Sequence, residues 1–294
     1  MIVQIFMAML LLGPMVWGVF NLAKSKGTVA PKGVADYGTL INSAVLYALA
    51  FNIIYFLQEL FLVLGKKALG LKAFLYHNDH NWSGEHPKML LMQGLGALGI
   101  FLIGLICLYV QRYISDAKGI WKLFLLWMAF QGLVQSIPQV MISALDPGTD
   151  VGEALVGYLK LDQSLLTVFG VVCAMTIALI CIYFSRLFLA FGANTIDYGN
   201  TLAKLKYIRF IAVGAALLGS ILVVPFKVPP MRHTIAPFMV FIFSIPWVWS
   251  SASMDVTIHP VLNDLHKKVY RLPIVFLILL LLFFHLVLAK GVEF

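Results

Sequence analysis

An acidic side chain inside an apolar, helix-length segment is the first residue of this sequence that could do chemistry. Glu59 is the one charged residue in residues 44–64 (AVLYALAFNIIYFLQELFLVL). A carboxylate in hydrocarbon is energetically costly and usually serves a function. Counting about 1.5 Å per residue from Lys66, Glu59 lies about 10 Å below the end of its segment. An ionised Glu59 at that depth needs a cation, a metal or water, whereas a protonated Glu59 could be purely structural.

Two polar stripes surround this residue in the sequence pattern. The first stripe consists of Asn52, Tyr55 and Glu59, which share one helical face at i, i+3 and i+7 spacing. Gln58 lies at the edge of that face. The second follows i+4 steps along a later apolar segment: Gln131, Gln135 and Gln139. Polar groups in hydrocarbon need partners, so we expect the two stripes to face each other across an interior polar site. The alternative is that these residues only fasten helices together, at about 1 kcal/mol for each hydrogen bond.

Three histidines lie in one loop and form the second candidate site. They are His77, His80 and His86, within HNDHNWSGEHP, beside Asp79 and Glu85. Two histidines at i and i+3 can ligate one zinc ion, with a carboxylate as third ligand, although no standard zinc pattern fits this spacing. A hydrated interfacial loop is also an ordinary place for histidine. We therefore expect no cofactor, and zinc is the one metal that the loop could hold.

The composition sets the class of the protein. Only 12% of the 294 residues are charged, 61% are hydrophobic, and the mean hydropathy is +0.94. Apolar runs of about 20 residues recur along the chain, each long enough to cross a bilayer of roughly 30 Å. The net charge of +8 comes from short loops between these runs, which excludes a nucleic-acid site. The cysteines Cys107, Cys173 and Cys181 lie inside the runs without a CxxC pair, so neither disulfides nor a cysteine metal site is expected.

The apolar runs predict the architecture. They fall near residues 2–22, 40–64, 89–111, 121–145, 164–191, 207–226, 235–254 and 273–289. No connection between them is long enough for a soluble domain. We predict an all-α, polytopic transmembrane helical bundle of about eight spans, with residues 1–294 forming a single integral-membrane domain. The first run is expected to be a retained helix, because it lacks the opening basic residue and the A-x-A site of a secretory signal.

Part of the chain resembles a known family of membrane enzymes. The Gln58–Glu59 pair in an early helix, followed after a later helix by DPGTDVG (residues 146–152), resembles membrane-embedded site-2-protease-like metallopeptidases. That family uses an HExxH motif and a distant aspartate. The matching residues here are Gln58-Glu59-Leu60-Phe61-Leu62, which keep the general base and lack both zinc-binding histidines. The resemblance covers roughly a third of the chain and implies a related helical scaffold.

Three functional hypotheses follow. In the first, a non-enzymatic membrane-complex subunit or transporter uses the buried polar site of Glu59 and the glutamines to engage a partner helix or a small polar or cationic solute. In the alternative, an intramembrane zinc-dependent hydrolase uses Glu59 as base, with ligands from His77, His80 or residues 146–150. In the third, the polar residues only specify packing. Expected partners are the lipid bilayer and other membrane subunits or a second copy, and the expected location is a bacterial inner membrane.

The distribution of basic residues predicts the orientation. Lysines and arginines concentrate in the odd-numbered loops, whereas the fourth loop carries four acidic residues against Lys160. The positive-inside rule then puts both termini outside. We expect a reporter that works only in the cytoplasm to be inactive when it is fused after Phe294, and active when it is inserted in the third loop after Lys118. Activity of the Phe294 fusion would contradict this orientation.

Overall fold

The structure is a computed structural model that describes residues 2–25, 37–193, 195–224, 236–262, 264–266 and 268–294. It is 75% helical. The helices are α1 (Ile2–Lys24), α2 (Tyr37–Ala68), α3 (Met89–Met92), α4 (Leu95–Val110), α5 (Gly119–Ser143), α6 (Asp150–Gly152), α7 (Gln163–Ala190), α8 (Thr201–Ile208), α9 (Ala215–Val223), α10 (Ala236–Ser250) and α11 (Arg271–Leu286). Two π-helical segments, Glu153–Tyr158 and Arg209–Gly214, follow α6 and α8.

Six of the described helical segments are long and apolar enough to cross a membrane. They are Tyr37–Ala68, Met89–Tyr113, Asp116–Ser143, Gln163–Ala190, Thr201–Val223 and Arg271–Lys290. The helical, membrane-spanning class is therefore confirmed, whereas the predicted count of about eight is not met in the described part of the chain. The predicted span 2–22 forms α1, which is not among the six. The predicted span 235–254 forms a shorter apolar helix, Phe238–Ser253, and residue 235 lies outside the described ranges.

A small antiparallel sheet corrects the all-α prediction. Strands β1 (Lys72–Leu75) and β2 (His80–Ser83) form a hairpin, and β3 (Val292–Glu293) pairs with the other edge of β1. Buried and more exposed side chains alternate along β1, as a strand with one face against the bundle requires: Ala73 and Leu75 are buried, whereas Lys72 is exposed. β3 comes from the far end of the sequence, and the local sequence pattern gives no indication of its pairing with β1.

Helix α2 is the central element of the bundle. It packs against α4, α5, α9 and α11, and residues 42–52 are buried without interruption. Its ends contact different loops: the Asn42 side chain donates to the backbone oxygens of Leu265 and Lys268, whereas the hairpin contacts the other end. Loops two and seven therefore lie at opposite ends of α2. This geometry separates His80 from the loop that carries His259 and His266.

Glycines allow α4 to approach its neighbours closely. A Cβ on Gly132 of α5 would lie 2.6 Å from the Ile100 carbonyl oxygen and 2.8 Å from the Cα of Gly104. The two helices thus touch backbone to backbone. Gly99 of α4 packs against the ring of Phe61. These contacts are those of a small-residue helix interface in a membrane.

This contact predicts a large difference between two glycine substitutions. We expect Gly132→Ala to destabilise the fold by about 1–3 kcal/mol, because backbone atoms of α4 cannot move aside for the new methyl group. Gly170→Ala in α7 is the control, since its Cβ would make ordinary contacts at 3.8 Å with Met141. Thermal unfolding in detergent measures both variants. Equal melting temperatures for the two would contradict the backbone contact.

Candidate functional site

The C-terminal end of α2 and the hairpin together build the candidate site. Helix α2 ends at Ala68. Gly70, whose φ is 76°, then turns the chain, and the Leu71 N–H donates to the Lys66 carbonyl. The hairpin then folds back along α2. His80 and Trp82 occupy one face of β2, opposite the exposed Asn81 and Ser83. That face meets α2 at Glu59 and Lys66, which are two helical turns apart.

A chain of four polar side chains passes through the site. The Nδ1 of His80 lies 2.8 Å from Oε2 of Glu59, and the two side chains are 7% and 6% exposed. On the other side of the ring, Nε2 lies 3.2 Å from Oε1 of Gln93. The Nε2 of Gln93 in turn donates to Oε2 of Glu153, also at 3.2 Å. Glu59 is therefore paired, and its partner comes from loop two rather than from another span.

Two aspartates complete the cluster. Asp79 precedes His80, and its Oδ1 accepts the His80 backbone N–H at 2.9 Å. One ligand atom from each of Glu59, Asp79 and His80 lies within 4.8 Å of the other two. Asp150 begins α6 and lies close enough to His80 for the two charges to interact. It also interacts electrostatically with Glu59, Asp79 and Glu153. The site thus contains a histidine with four carboxylates around it.

The DPGTDVG segment positions Asp150 and Glu153. Thr149 caps α6 by accepting the N–H of Gly152. A Cβ on Gly152 would lie 2.6 Å from the Pro147 carbonyl oxygen, so a glycine is needed for this tight turn. The π-helical segment that follows begins with Glu153, and π-helical turns often occur at functional sites.

A buried lysine lies beside the acidic groups. The Lys66 side chain is fully buried, and its Nζ donates to the Met89 carbonyl at 2.6 Å. The same ammonium lies 4.0 Å from the centroid of the Trp82 ring, and Trp82 stacks on His80 with centroids 5.7 Å apart. This cation–π contact and ring stacking hold β2 against α2 and fix the plane of the His80 imidazole.

The surroundings shift the pKa values of His80 and Asp150, two groups of the cluster that lie outside the membrane-spanning helices. Burial opposes protonation of His80, but the hydrogen bond and charge of Glu59, with Asp150 and Asp79, outweigh it and raise the His80 pKa. Burial raises the pKa of Asp150 from 3.8 to about 6, with the negative charges of Glu59, Glu153 and Asp79 adding to the effect and His80 opposing it. The folded cluster therefore holds protons that an unfolded chain would release.

The glutamine stripe forms a second, neighbouring cluster. Gln139 donates to Oε1 of Gln58 at 2.8 Å, which joins the two predicted stripes. Gln135 donates to Gln131, which is fully buried. The hydrogen-bond partner of Glu59 is His80, and among the residues that the structure describes no hydrogen bond links Glu59 to this stripe. The single interior site expected from the sequence is thus two adjacent polar clusters.

The remaining predicted residues are dispersed around these clusters. Asn52 donates to the Ala48 carbonyl within its own helix, and the Tyr55 hydroxyl donates to the Asn78 carbonyl at the hairpin turn. The His77 ring packs near Phe284, and Nδ1 of His86 accepts the Lys88 backbone N–H. Of the three candidate histidine ligands, the described ligand group contains His80 and neither of the other two.

Sequence reasoning missed several residues of the site. Gln93 and Glu153 have no spacing pattern with Glu59, because they come from other elements. Lys66 follows Glu59 by seven residues on α2, but in the sequence it served only to mark the end of the apolar segment. The usable signal was weaker: the second and fourth loops together carry six of the thirteen acidic residues, and loops on one side of a bundle can meet. Comparison with known proteins adds no further guide, since no family model, curated protein or solved structure matches this chain.

The raised pKa values predict how stability depends on pH in chelator-treated protein. Between about pH 4 and about pH 6 the folded state keeps the Asp150 proton and the unfolded chain loses it, so stability should fall by about 2 kcal/mol. His80 acts in the same direction at higher pH: its contribution is complete below the unfolded pKa of 6.5 and is lost as the pH rises through the raised folded value.

Tryptophan fluorescence melting curves at a series of pH values measure this dependence. Asp150→Asn should remove the part of the decline between about pH 4 and about pH 6. Asp146→Asn, an exposed aspartate of the same segment, should leave the curve as in the wild type. A decline in Asp150→Asn that matches the wild type would contradict the assignment to Asp150.

Proposed function

We propose that this polytopic membrane protein binds a small cation at the half-buried cluster of Glu59, Asp79, Asp150 and Glu153, as a transporter or as a subunit of a membrane complex. The observation that carries the proposal is the charge of the cluster. Four carboxylates converge on two basic groups, His80 and Lys66, so the ionised cluster carries a formal excess of two negative charges.

Burial makes this excess significant. An uncompensated charge away from water costs several kcal/mol, and a protein relieves that cost by taking up a proton or another cation. The hydrogen-bonded chain from Glu59 to Glu153 holds the acidic groups in fixed positions. A cation that enters therefore meets a preorganised site, and little of the binding energy is spent on ordering side chains.

The position of the cluster suits exchange with water. It lies at the end of α2, where the hairpin and α6 meet, and Asp79, Trp82 and Asp150 are partly exposed. A cation can therefore reach the carboxylates without crossing the apolar centre of the bundle. The glutamine cluster begins one residue away, at Gln58, and offers amide oxygens farther along α5. This order of groups fits a route for a small polar solute.

Substitution of the central carboxylate tests the proposal. Glu59→Gln should weaken cation binding by at least about tenfold, because it removes one of the negative charges that attract the ion. Glu85→Gln is the matched control, since Glu85 is an exposed carboxylate of the loop that carries His80 and lies outside the cluster. Titration calorimetry of the purified protein with monovalent and divalent cations measures both variants. Unchanged binding in Glu59→Gln, with the fold intact, would contradict the proposal.

The same variant separates a transporter from a complex subunit. In a transporter, Glu59→Gln should abolish cation uptake by proteoliposomes while the protein still inserts. In a subunit, Glu59→Gln should leave co-purification of the partner unchanged. Cation uptake and co-purification of a partner can both be measured on one preparation of the Glu59→Gln variant.

The second candidate function is a zinc-dependent hydrolase similar to site-2 proteases. The observation in its favour is the grouping of Glu59, Asp79 and His80 within ligand distance. In that arrangement Glu59 lies among the ligands, whereas the metallopeptidase motif uses its glutamate as a general base. Zinc-dependent cleavage of a transmembrane peptide, lost in Glu59→Gln, would favour the hydrolase over the binding protein.

A further inference from the structure

We propose that the cation is a divalent transition metal, zinc in particular, bound by Nδ1 of His80 and the carboxylates of Glu59 and Asp79. This inference rests on the proposed function and names the class of cation. It also replaces the ligand sets considered from sequence, because His77 and His86 contribute nothing to it.

The distances suit one small ion. Zinc binds nitrogen and oxygen at about 2.0–2.2 Å in a tetrahedron, so neighbouring ligand atoms lie roughly 3.4 Å apart. In the structure Nδ1 of His80 and Oε2 of Glu59 are 2.8 Å apart, and the three ligand atoms lie within 4.8 Å of one another. Side-chain adjustments of about an ångström would accommodate the ion. Asp79 is in the turn before β2, where such an adjustment does not disturb the helix.

The orientation of the imidazole favours coordination through Nδ1. Because Gln93 donates its amide N–H to Glu153, its oxygen faces His80 and accepts the Nε2–H. The Nδ1 atom of the ring therefore points at the Glu59 carboxylate. Without metal, the Nδ1–H of the ring donates to this carboxylate, and a metal ion would take the place of that proton between the two ligand atoms. Metal-bound histidines commonly have their outer N–H bonded to an amide or carboxylate oxygen in this way.

The ligand types select the kind of metal. Calcium and magnesium prefer oxygen-only sites, whereas an imidazole with carboxylates suits zinc and similar transition metals. Two carboxylates and a neutral imidazole also balance the charge of a divalent ion. Three protein ligands leave one coordination position open, which is the pattern of sites that exchange a water or a substrate rather than of closed structural sites.

Zinc binding to the full chain tests the inference. We expect one zinc ion per protein after chelator treatment and reloading, measured by elemental analysis, with the affinity measured by calorimetry. His80→Gln should weaken binding by at least about tenfold, because the glutamine amide can keep the hydrogen bond to Gln93 while the Nδ1 ligand is lost. His86→Gln, the same substitution in the same loop, should bind as the wild type. Thermal melting of metal-free protein checks that both variants fold.

The outcomes separate this inference from the proposed function. Binding of one zinc that is lost in His80→Gln and in Asp79→Asn supports both. Glu59-dependent binding of a monovalent cation without zinc binding overturns the metal assignment and leaves the proposed function standing. Zinc binding that His80→Gln does not change overturns the ligand set. A folded wild-type protein that binds no cation of either kind overturns the inference and the proposed function together.

Discussion

The ion pair between Glu59 and His80 is the contact on which the architecture of this end of the molecule depends. A carboxylate buried on α2 requires compensation, and the bundle supplies it from a hairpin that lies outside the spans. To bring His80 to that position, loop two must form two strands and Trp82 must lie flat on Lys66. The segment after α5 brings Asp150 near His80 and Glu153 to Gln93. Helix, hairpin and acidic turn therefore form one electrostatic unit.

The two polar clusters have different physical characters. The glutamine cluster is uncharged, and its amides pair with one another, as Gln139 does with Gln58 and Gln135 with Gln131. Amide pairs of this kind fasten membrane helices and tolerate a low dielectric without a counter-ion. The cluster of Glu59 and His80 is charged and draws its members from α2, β2, the residue after α3, and the segment after α5. The glutamine cluster joins α2 to α5. The cluster of Glu59 and His80 places negative charge at the end of α2.

Hydropathy and composition were sufficient to predict the class of this fold, because a run of about 20 apolar residues has few alternatives to a membrane helix. Glu59 was likewise recognisable from sequence, since a lone carboxylate stands out in residues 44–64. Its partner was not predictable in the same way. His80 reaches Glu59 only through the hairpin, and the other edge of β1 is completed by β3, a pairing that has no local sequence signal. Gln93 and Glu153 are separated by 60 residues, and only the packed structure reveals their contact.

The third strand has a consequence for how the molecule is assembled. Residues Leu75 and Val292 pair in register, although almost the whole bundle lies between them in the chain. During synthesis the hairpin emerges early, and its outer edge stays unpaired until the final helix has been made. The sheet beneath the acidic cluster is thus completed last, after every neighbouring helix is available. Contacts of such long sequence separation form slowly, so the order of synthesis itself delays the closure of this end of the protein until the bundle around it exists.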